Sequence, residues 1–135
     1  MAKLSAGVIF TTISLSLLPI NHAFAADFSI GFSWSGLKKC TSGKPNRVQN
    51  PPFTLKNVPT GTARIDFKMK DRNVPSYNHG GGKVKYKGGS SIARGAFKYK
   101  SPCPPNGKHT YEWTATARDA KGKKLAVAKA RRSYP

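Results

Sequence analysis

The chain has 135 residues, which is the length of one domain, and neither an internal repeat nor a linker indicates a second domain. Its 24 lysine and arginine residues outnumber 5 acidic residues and give a formal net charge of +19 at pH 7. This charge favours anionic partners such as lipid headgroups, lipopolysaccharide, nucleic acid or an acidic protein. A solvated basic surface without a partner is equally consistent with it.

Residues 1–25 have the pattern of a secretory signal peptide. Lys3 supplies the positive start, residues 4–20 form an uncharged apolar run, and a small-x-small cleavage site ends at Ala25. A transmembrane anchor is the alternative, but the apolar run is short for a span, contains a proline and leads directly into the cleavage site. We therefore predict a cleaved signal peptide, a periplasmic or secreted protein, and one domain over residues 26–135.

Beyond the signal peptide, apolar and polar residues alternate with a period of two, as in half-buried strands. Turn-rich segments separate the predicted strands, and the alternating helices of a βαβ fold are missing. The pattern predicts an all-β fold, an antiparallel β-sandwich with few or no helices. Residues 124–132 fit either a short alanine-rich helix or a last strand. The other predicted strands are residues 28–35, 63–70, 83–87, 97–100 and 110–117.

Cys40 and Cys103 are the only cysteines of the sequence. An even number of cysteines in an exported protein predicts a disulfide, which would stabilise the fold by about 4 kcal/mol in the chain-entropy model. A metal-thiolate pair or a reactive thiol is the alternative, but no second Cys or His lies at short metal-ligand spacing from either residue. We predict a structural disulfide.

Two polar segments contain both histidines of residues 26–135. The first runs from Asp71 through Pro75 to His79 and is followed by three glycines, where the backbone can approach a ligand closely. The second, residues 104–111, contains His109. Two imidazoles and a phenol can donate hydrogen bonds to an anion, and protonation of either imidazole strengthens the attraction. The alternative is that both histidines are satisfied polar residues of loops.

The order of these blocks resembles the signature regions of the phosphatidylethanolamine-binding protein family (the Raf kinase inhibitor-like proteins), in particular its short exported bacterial members. The resemblance extends from residue 50 to residue 135 and includes the blocks at residues 57–62 and 113–117. It implies a sandwich of the PEBP type, with a small pocket for phosphate-like or carboxylate-like groups. The pocket residues that it implies are Asp71, Pro75, His79, Pro105, His109 and Tyr111.

The sequence departs from this family pattern at two positions. The family usually has a second acid two residues after the first, where this chain has Asn73. It often has an arginine directly after the second histidine, where this chain has Thr110. The missing arginine removes a bidentate donor to an anion, and the missing acid removes a repulsive charge from the rim. The resemblance therefore implies an anion pocket with altered selectivity.

Three other functions are compatible with some of these residues. Asp71, His79 and His109 together have the ligand types of a facial metal triad. Nucleophilic catalysis has less support, because no serine lies in a Gly-x-Ser-x-Gly turn and both cysteines are assigned to the disulfide. Tyr86 and Tyr99 lie between lysines, as in proteins that stack nucleic acid bases, but alternation turns these tyrosines toward the core.

The sequence thus predicts a binding protein that is not an enzyme and needs no cofactor or metal. Its expected ligand is a small anion with a phosphate or carboxylate group, such as a phospholipid headgroup. An anionic membrane surface is a further partner that the charge allows, whereas nucleic acid is disfavoured. The alternative is a basic interaction or inhibitor protein that docks an acidic partner or a hydrolase, and no particular protein partner is indicated.

Overall fold

A computed structural model describes residues 26–135, and the predicted signal peptide lies outside these residues. The prediction of an all-β protein is confirmed, because every regular element of the described chain is a strand. Residues 26–135 accordingly contain no helix that is long and apolar enough to cross a membrane. The strands are β1 (Ser29–Phe32), β2 (Arg47–Gln49), β3 (Phe53–Lys56), β4 (Arg64–Asp71), β5 (Gly81–Lys85), β6 (Ser91–Ile92), β7 (Lys98–Lys100), β8 (His109–Arg118) and β9 (Lys124–Tyr134).

The strands form one large and two small antiparallel sheets. The large sheet has the order β5-β4-β8-β9, and the small sheets have the orders β1-β3-β6 and β2-β7. Strand β4 pairs with β8 along its whole length, from Arg64 opposite Arg118 to Asp71 opposite Tyr111. This register brings the end of β4 to the start of β8. Residues 124–132, which fitted a helix or a strand, belong to β9 at the edge of the sheet.

The core lies between the large sheet and the three-stranded sheet. Phe53 of β3 stacks on Phe67 of β4 with ring centroids 4.5 Å apart, and it meets the edge of Trp113 of β8 at 5.2 Å. All three side chains are buried. Because successive side chains of a strand point to opposite faces, the residues between them on β4 and β8 face away from this core. The predicted sandwich is therefore present, with one apolar and one polar face on the large sheet.

Two of the three glycines after His79 serve the packing of β5, and the first, Gly80, has a positive φ of 79° just before the strand begins. A Cβ atom added to Gly81 would collide with the backbone of Phe67, and one added to Gly82 would collide with the ring of Phe97. Neither glycine lines the cavity that contains the two histidines. A close approach of backbone thus occurs between β5 and its neighbours, outside the lining of this cavity.

The predicted disulfide between Cys40 and Cys103 is present. It fixes the long segment between β1 and β2 to the proline-rich segment before β8. The backbone N–H of Cys40 also donates a hydrogen bond to the Tyr134 hydroxyl at 2.7 Å, which links the same segment to the end of β9.

Candidate functional site

A cavity of about 200 Å³ lies where β4 ends and β8 begins. Five of the six residues that the sequence assigned to a site line this cavity, so the two polar segments meet in space although they are distant in the sequence. Their meeting follows from the antiparallel pairing of β4 with β8. These five residues are Asp71, His79, Pro105, His109 and Tyr111.

Pro75 is the predicted site residue that the structure does not bring to the cavity. It is exposed, and it borders a groove on the outer side of the large sheet together with Arg72 and Glu112. Tyr77, two residues further along the same loop, lines both the groove and the cavity. The loop therefore separates the two concave regions of the surface and contributes to each.

Asp71 and His109 form a partly buried pair. His109 Nδ1 donates a hydrogen bond to Asp71 Oδ2 at 2.7 Å, and the backbone N–H groups of Asn73 and Val74 donate to Oδ1 at 2.8 and 3.2 Å. Burial raises the pKa of the Asp71 carboxyl, but the His109 hydrogen bond and the two backbone donors outweigh it and bring the pKa below its ordinary value. The carboxylate stays ionised and keeps a proton on His109 Nδ1.

His79 is held in the cavity wall by its backbone neighbours and by aromatic rings. Its Nδ1 donates to the carbonyl oxygen of Lys100 at 2.8 Å, and its ring meets Tyr77 at 4.6 Å and Tyr111 at 5.4 Å between centroids. Burial lowers the pKa of His79 below the ordinary value of 6.5, and the Lys100 carbonyl opposes this shift only in part. His79 is therefore neutral at pH 7, with its proton on Nδ1.

Tyr111 lies on the floor of the cavity, two residues after His109 on β8. Its ring stacks against the His109 ring, with centroids 6.3 Å apart and an angle of 29°. Burial first, and the neighbouring Asp71 carboxylate second, raise the pKa of the Tyr111 phenol well above its ordinary value. The phenol thus keeps its proton and can act as a hydrogen-bond donor.

The two histidines use their ring nitrogens in the same way. Each uses Nδ1–H for a hydrogen bond to protein oxygen, so the nitrogen that remains for a ligand is Nε2. A neutral imidazole of this tautomer accepts at Nε2, whereas a protonated one donates there. At Nε2 a neutral ring is therefore complementary to a hydrogen-bond donor, and a protonated ring is complementary to an anion.

The sequence did not predict several residues that form the apolar wall of the cavity. Val74 and Tyr77 come from the loop after β4, and Gly43 and Pro45 come from the segment that the disulfide fixes in place. Tyr77 lay within the first polar segment, so its position was a usable signal. Gly43 and Pro45 had only their closeness in sequence to Cys40 as a signal.

Within residues 26–135, no group of three His, Cys, Asp or Glu side chains is arranged to hold a metal ion. Asp71 and His109 are in contact through a hydrogen bond, and His79 directs its Nδ1 to a backbone carbonyl. The three residues of the possible facial triad therefore line one cavity, but they do not converge on one point where a metal ion could bind.

No protein-family model and no curated protein matches the sequence. Two solved structures are similar to the fold. A phosphatidylethanolamine-binding protein (PEBP) homologue, CT736 of Chlamydia trachomatis, has a TM-score of 0.56 and 18% sequence identity over 81% of this chain and 97% of that one. Escherichia coli YbcL, described as a member of the mammalian PEBP family, has a TM-score of 0.59 and 16% identity over 81% of this chain and 98% of that one. This chain has the PEBP fold.

On this PEBP fold, the two positions at which the sequence departs from the family pattern touch each other. Asn73 Oδ1 accepts a hydrogen bond from the backbone N–H of Thr110 at 2.8 Å. The carbonyl oxygen of Thr110 in turn accepts from the backbone N–H of Arg72 at 2.8 Å. A neutral amide therefore joins the loop after β4 to the start of β8, where the family pattern would have an acid and an arginine.

Proposed function

We propose that this protein binds a small anionic group, a phosphate or carboxylate, in the cavity between β4 and β8. The observation that supports this most directly is the convergence of Asp71, His79, His109 and Tyr111 on one cavity of about 200 Å³. The size is below the roughly 300–1,000 Å³ typical of sites for larger ligands. A headgroup or a free phosphate is therefore the expected occupant, and not the whole of a lipid.

The protonation states of the cavity support a phosphate more than a carboxylate. Tyr111 keeps its phenolic proton, and neutral His79 can accept at Nε2. A phosphate monoanion has both a proton to donate and oxygens that accept, so it matches this mixture of donors and acceptors. A carboxylate has no proton to donate to Nε2 of neutral His79.

We also propose that the protein binds its ligand without turning it over. Of the described residues that line the cavity, none is a serine, threonine or lysine, and Cys103 is committed to the disulfide. The raised pKa of Tyr111 opposes formation of a phenolate nucleophile. The remaining polar groups can orient and hold an anion.

Export remains a prediction, and N-terminal sequencing of the protein from its native envelope should find a chain that begins at Ala26.

The proposal is tested by NMR titration with inorganic phosphate at pH 6.5. The ring resonances of His79 and His109 should shift together with one dissociation constant, because both rings face one cavity. His109→Ala should abolish the response of His79. Asn106→Ala, in the same proline-rich turn but outside the cavity lining, is the matched control and should respond like the wild type. Separate dissociation constants for the two histidines, or no response at His79, would contradict the proposal.

A further inference from the structure

The outer face of the large sheet carries positive charge on all four of its strands. Its outward-facing side chains alternate with the buried residues of the core. We call this surface the basic face. It includes Lys83 and Lys85 on β5, Lys68 and Lys70 on β4, Arg118 on β8 and Lys129 on β9.

The acids of the basic face are already neutralised by arginine. Asp66 accepts from Arg64 at 2.7 Å and from Arg118 at 2.8 Å. Glu112, which is buried, accepts from Arg131 at 2.6 Å and has weaker ion pairs with Lys129 and Arg72 at 3.8 and 3.9 Å.

Four lysines of the basic face therefore keep an uncompensated charge. Within residues 26–135, no carboxylate lies within 4.0 Å of Lys68, Lys70, Lys83 or Lys85. All four are exposed. Their charges are available to an external partner.

The charges of the basic face are spread in two dimensions. Four strands at about 4.8 Å spacing cover about 14 Å across the sheet, and the 8 residues of β4 cover about 26 Å along it. A linear polyanion could follow only one or two strands at a time. The outward positions of these strands carry no aromatic side chain in the described chain, so nucleic acid bases would have nothing to stack on. A planar array of negative charges on a partner could contact all four strands at once.

Exposed apolar side chains border the basic face. Val127, which is 43% exposed, lies opposite Thr116 at the β9 edge, and Leu125 is close to it on the same strand. The other two large apolar side chains that are exposed in residues 26–135 are Val74 and Tyr77, in the loop beyond the end of β4. Lysines next to exposed apolar residues are typical of surfaces that lie in the headgroup region of a bilayer.

We propose that the basic face docks on the surface of a bilayer that contains anionic phospholipids. The lysines contact the lipid phosphates, and Leu125 and Val127 at the β9 border enter the headgroup layer. This role is separate from anion binding in the cavity. The four lysines lie on the outer face of β4 and β5, whereas His109 lies on the opposite face at the start of β8 and His79 lies in the loop before β5.

The experiment measures co-sedimentation with lipid vesicles at about 0.1 M salt. One set of vesicles contains about a third phosphatidylglycerol, and the other contains phosphatidylcholine alone. The test variant is Lys68→Gln/Lys70→Gln/Lys83→Gln/Lys85→Gln. The control variant loses the same charge from exposed lysines elsewhere and is Lys38→Gln/Lys39→Gln/Lys56→Gln/Lys98→Gln.

The wild type should bind the anionic vesicles and not the neutral ones. Each lysine near an anionic surface changes the partition coefficient about fivefold, so the test variant should bind at least about 50-fold more weakly. The control variant should stay within about fivefold of the wild type, and His109→Ala should bind unchanged. Circular dichroism and thermal unfolding of each variant verify that it is folded.

Several results would overturn the proposal. Equal losses in the two lysine variants would mean that net charge alone attracts the protein. Equal binding to neutral vesicles would mean that the basic face is not responsible. Loss of binding in His109→Ala would assign the membrane contact to the cavity. Binding to heparin or to an acidic protein, without binding to anionic vesicles, would identify a different class of partner.

Discussion

The cavity and the basic face share strands β4 and β8, and the acidic residues of these strands have different roles in each. Asp71 points into the cavity, where it accepts hydrogen bonds from His109 and two backbone N–H groups. Glu112 points to the basic face, where it accepts from Arg131 and lies near two more cations. Asp71 fixes the orientation of the His109 ring, whereas Glu112 reduces repulsion among cations. Because side chains alternate along a strand, β4 and β8 contribute to the cavity on one face of the sheet and to the basic face on the other.

The largest effect on stability should be seen when the two carboxylates are neutralised separately and the two variants are compared. Asp71→Asn leaves the partly buried His109 with a neutral partner, so we expect a loss of about 2 kcal/mol in the free energy of unfolding. Glu112→Gln should cost about 1 kcal/mol or less, because the side chains of Arg131, Lys129 and Arg72 are 58%, 56% and 43% exposed and can turn to water.

Urea denaturation of both variants at pH 7 measures this difference. Phosphate titration adds a second readout, since Asp71→Asn should also lose the coupled histidine response while Glu112→Gln keeps it. Equal destabilisation by the two substitutions would show that the two acids do not have the distinct roles described above.

The pH dependence of stability should distinguish His79 from the carboxylates. Because burial holds the pKa of His79 below 6.5, the folded state binds fewer protons than the unfolded state as pH falls below about 6.5. The contribution of His79 is therefore complete above pH 6.5 and declines as pH falls toward its folded pKa. The lowered pKa values of Asp71, Asp66 and Glu112 add a separate loss at pH values below about 4.

Thermal unfolding between about pH 2 and pH 8 measures these two regions. His79→Gln should remove the decline that begins near pH 6.5 and leave the acidic decline unchanged. A decline of the same size near pH 6.5 in this variant would assign the effect to another group.

The smallest effect should be that of the four lysines on stability. Since the test variant at Lys68, Lys70, Lys83 and Lys85 removes no ion pair of the described chain, we expect its free energy of unfolding to stay within about 0.5 kcal/mol of the wild type. Any shift should be toward higher stability at low salt, because four like charges are removed, and should vanish near 1 M salt. Urea denaturation at two salt concentrations measures it. A large loss of stability would mean that the lysines hold the fold together.

Five of the nine strands of residues 26–135 could be predicted from the sequence, because alternation directly reports which side chains are buried. Strands β2, β3 and β6 were not predicted, because they have only 3, 4 and 2 residues and runs this short show little alternation. The same pattern could not distinguish helix from strand at residues 124–132, since alternating alanines suit both. Several predicted boundaries also differ from the structure. The predicted first strand, residues 28–35, is longer than Ser29–Phe32, and β5 begins at Gly81, before the predicted start at residue 83, where the strand has no side chains to alternate. The pairing of Cys40 with Cys103 needed only a count, because a chain with two cysteines has one possible internal disulfide.

The cavity could be predicted only in part. The polar segments indicated Asp71, His79 and His109, but their convergence depends on the register of β4 and β8, which no local pattern encodes. The direction of the loop after β4 decides that Tyr77 lines the cavity and that Pro75 does not. The basic face was visible as lysines on the polar sides of predicted strands. Its continuity across four strands depends on the strand order, which alternation does not reveal.

The position of β9 at the edge of the large sheet affects whether two copies of the protein can pair through their backbones. It is an edge strand of 11 residues, and an exposed edge of this length is a template on which a second chain can add by backbone pairing. Strand β9 carries Lys124, Lys129, Arg131 and Arg132, so edge-to-edge pairing of two copies would bring like charges together. Trp34 also donates its Nε1–H to the Ser133 carbonyl at 2.9 Å and covers the end of the strand. The charge of β9 therefore opposes aggregation of the folded protein through its longest strand.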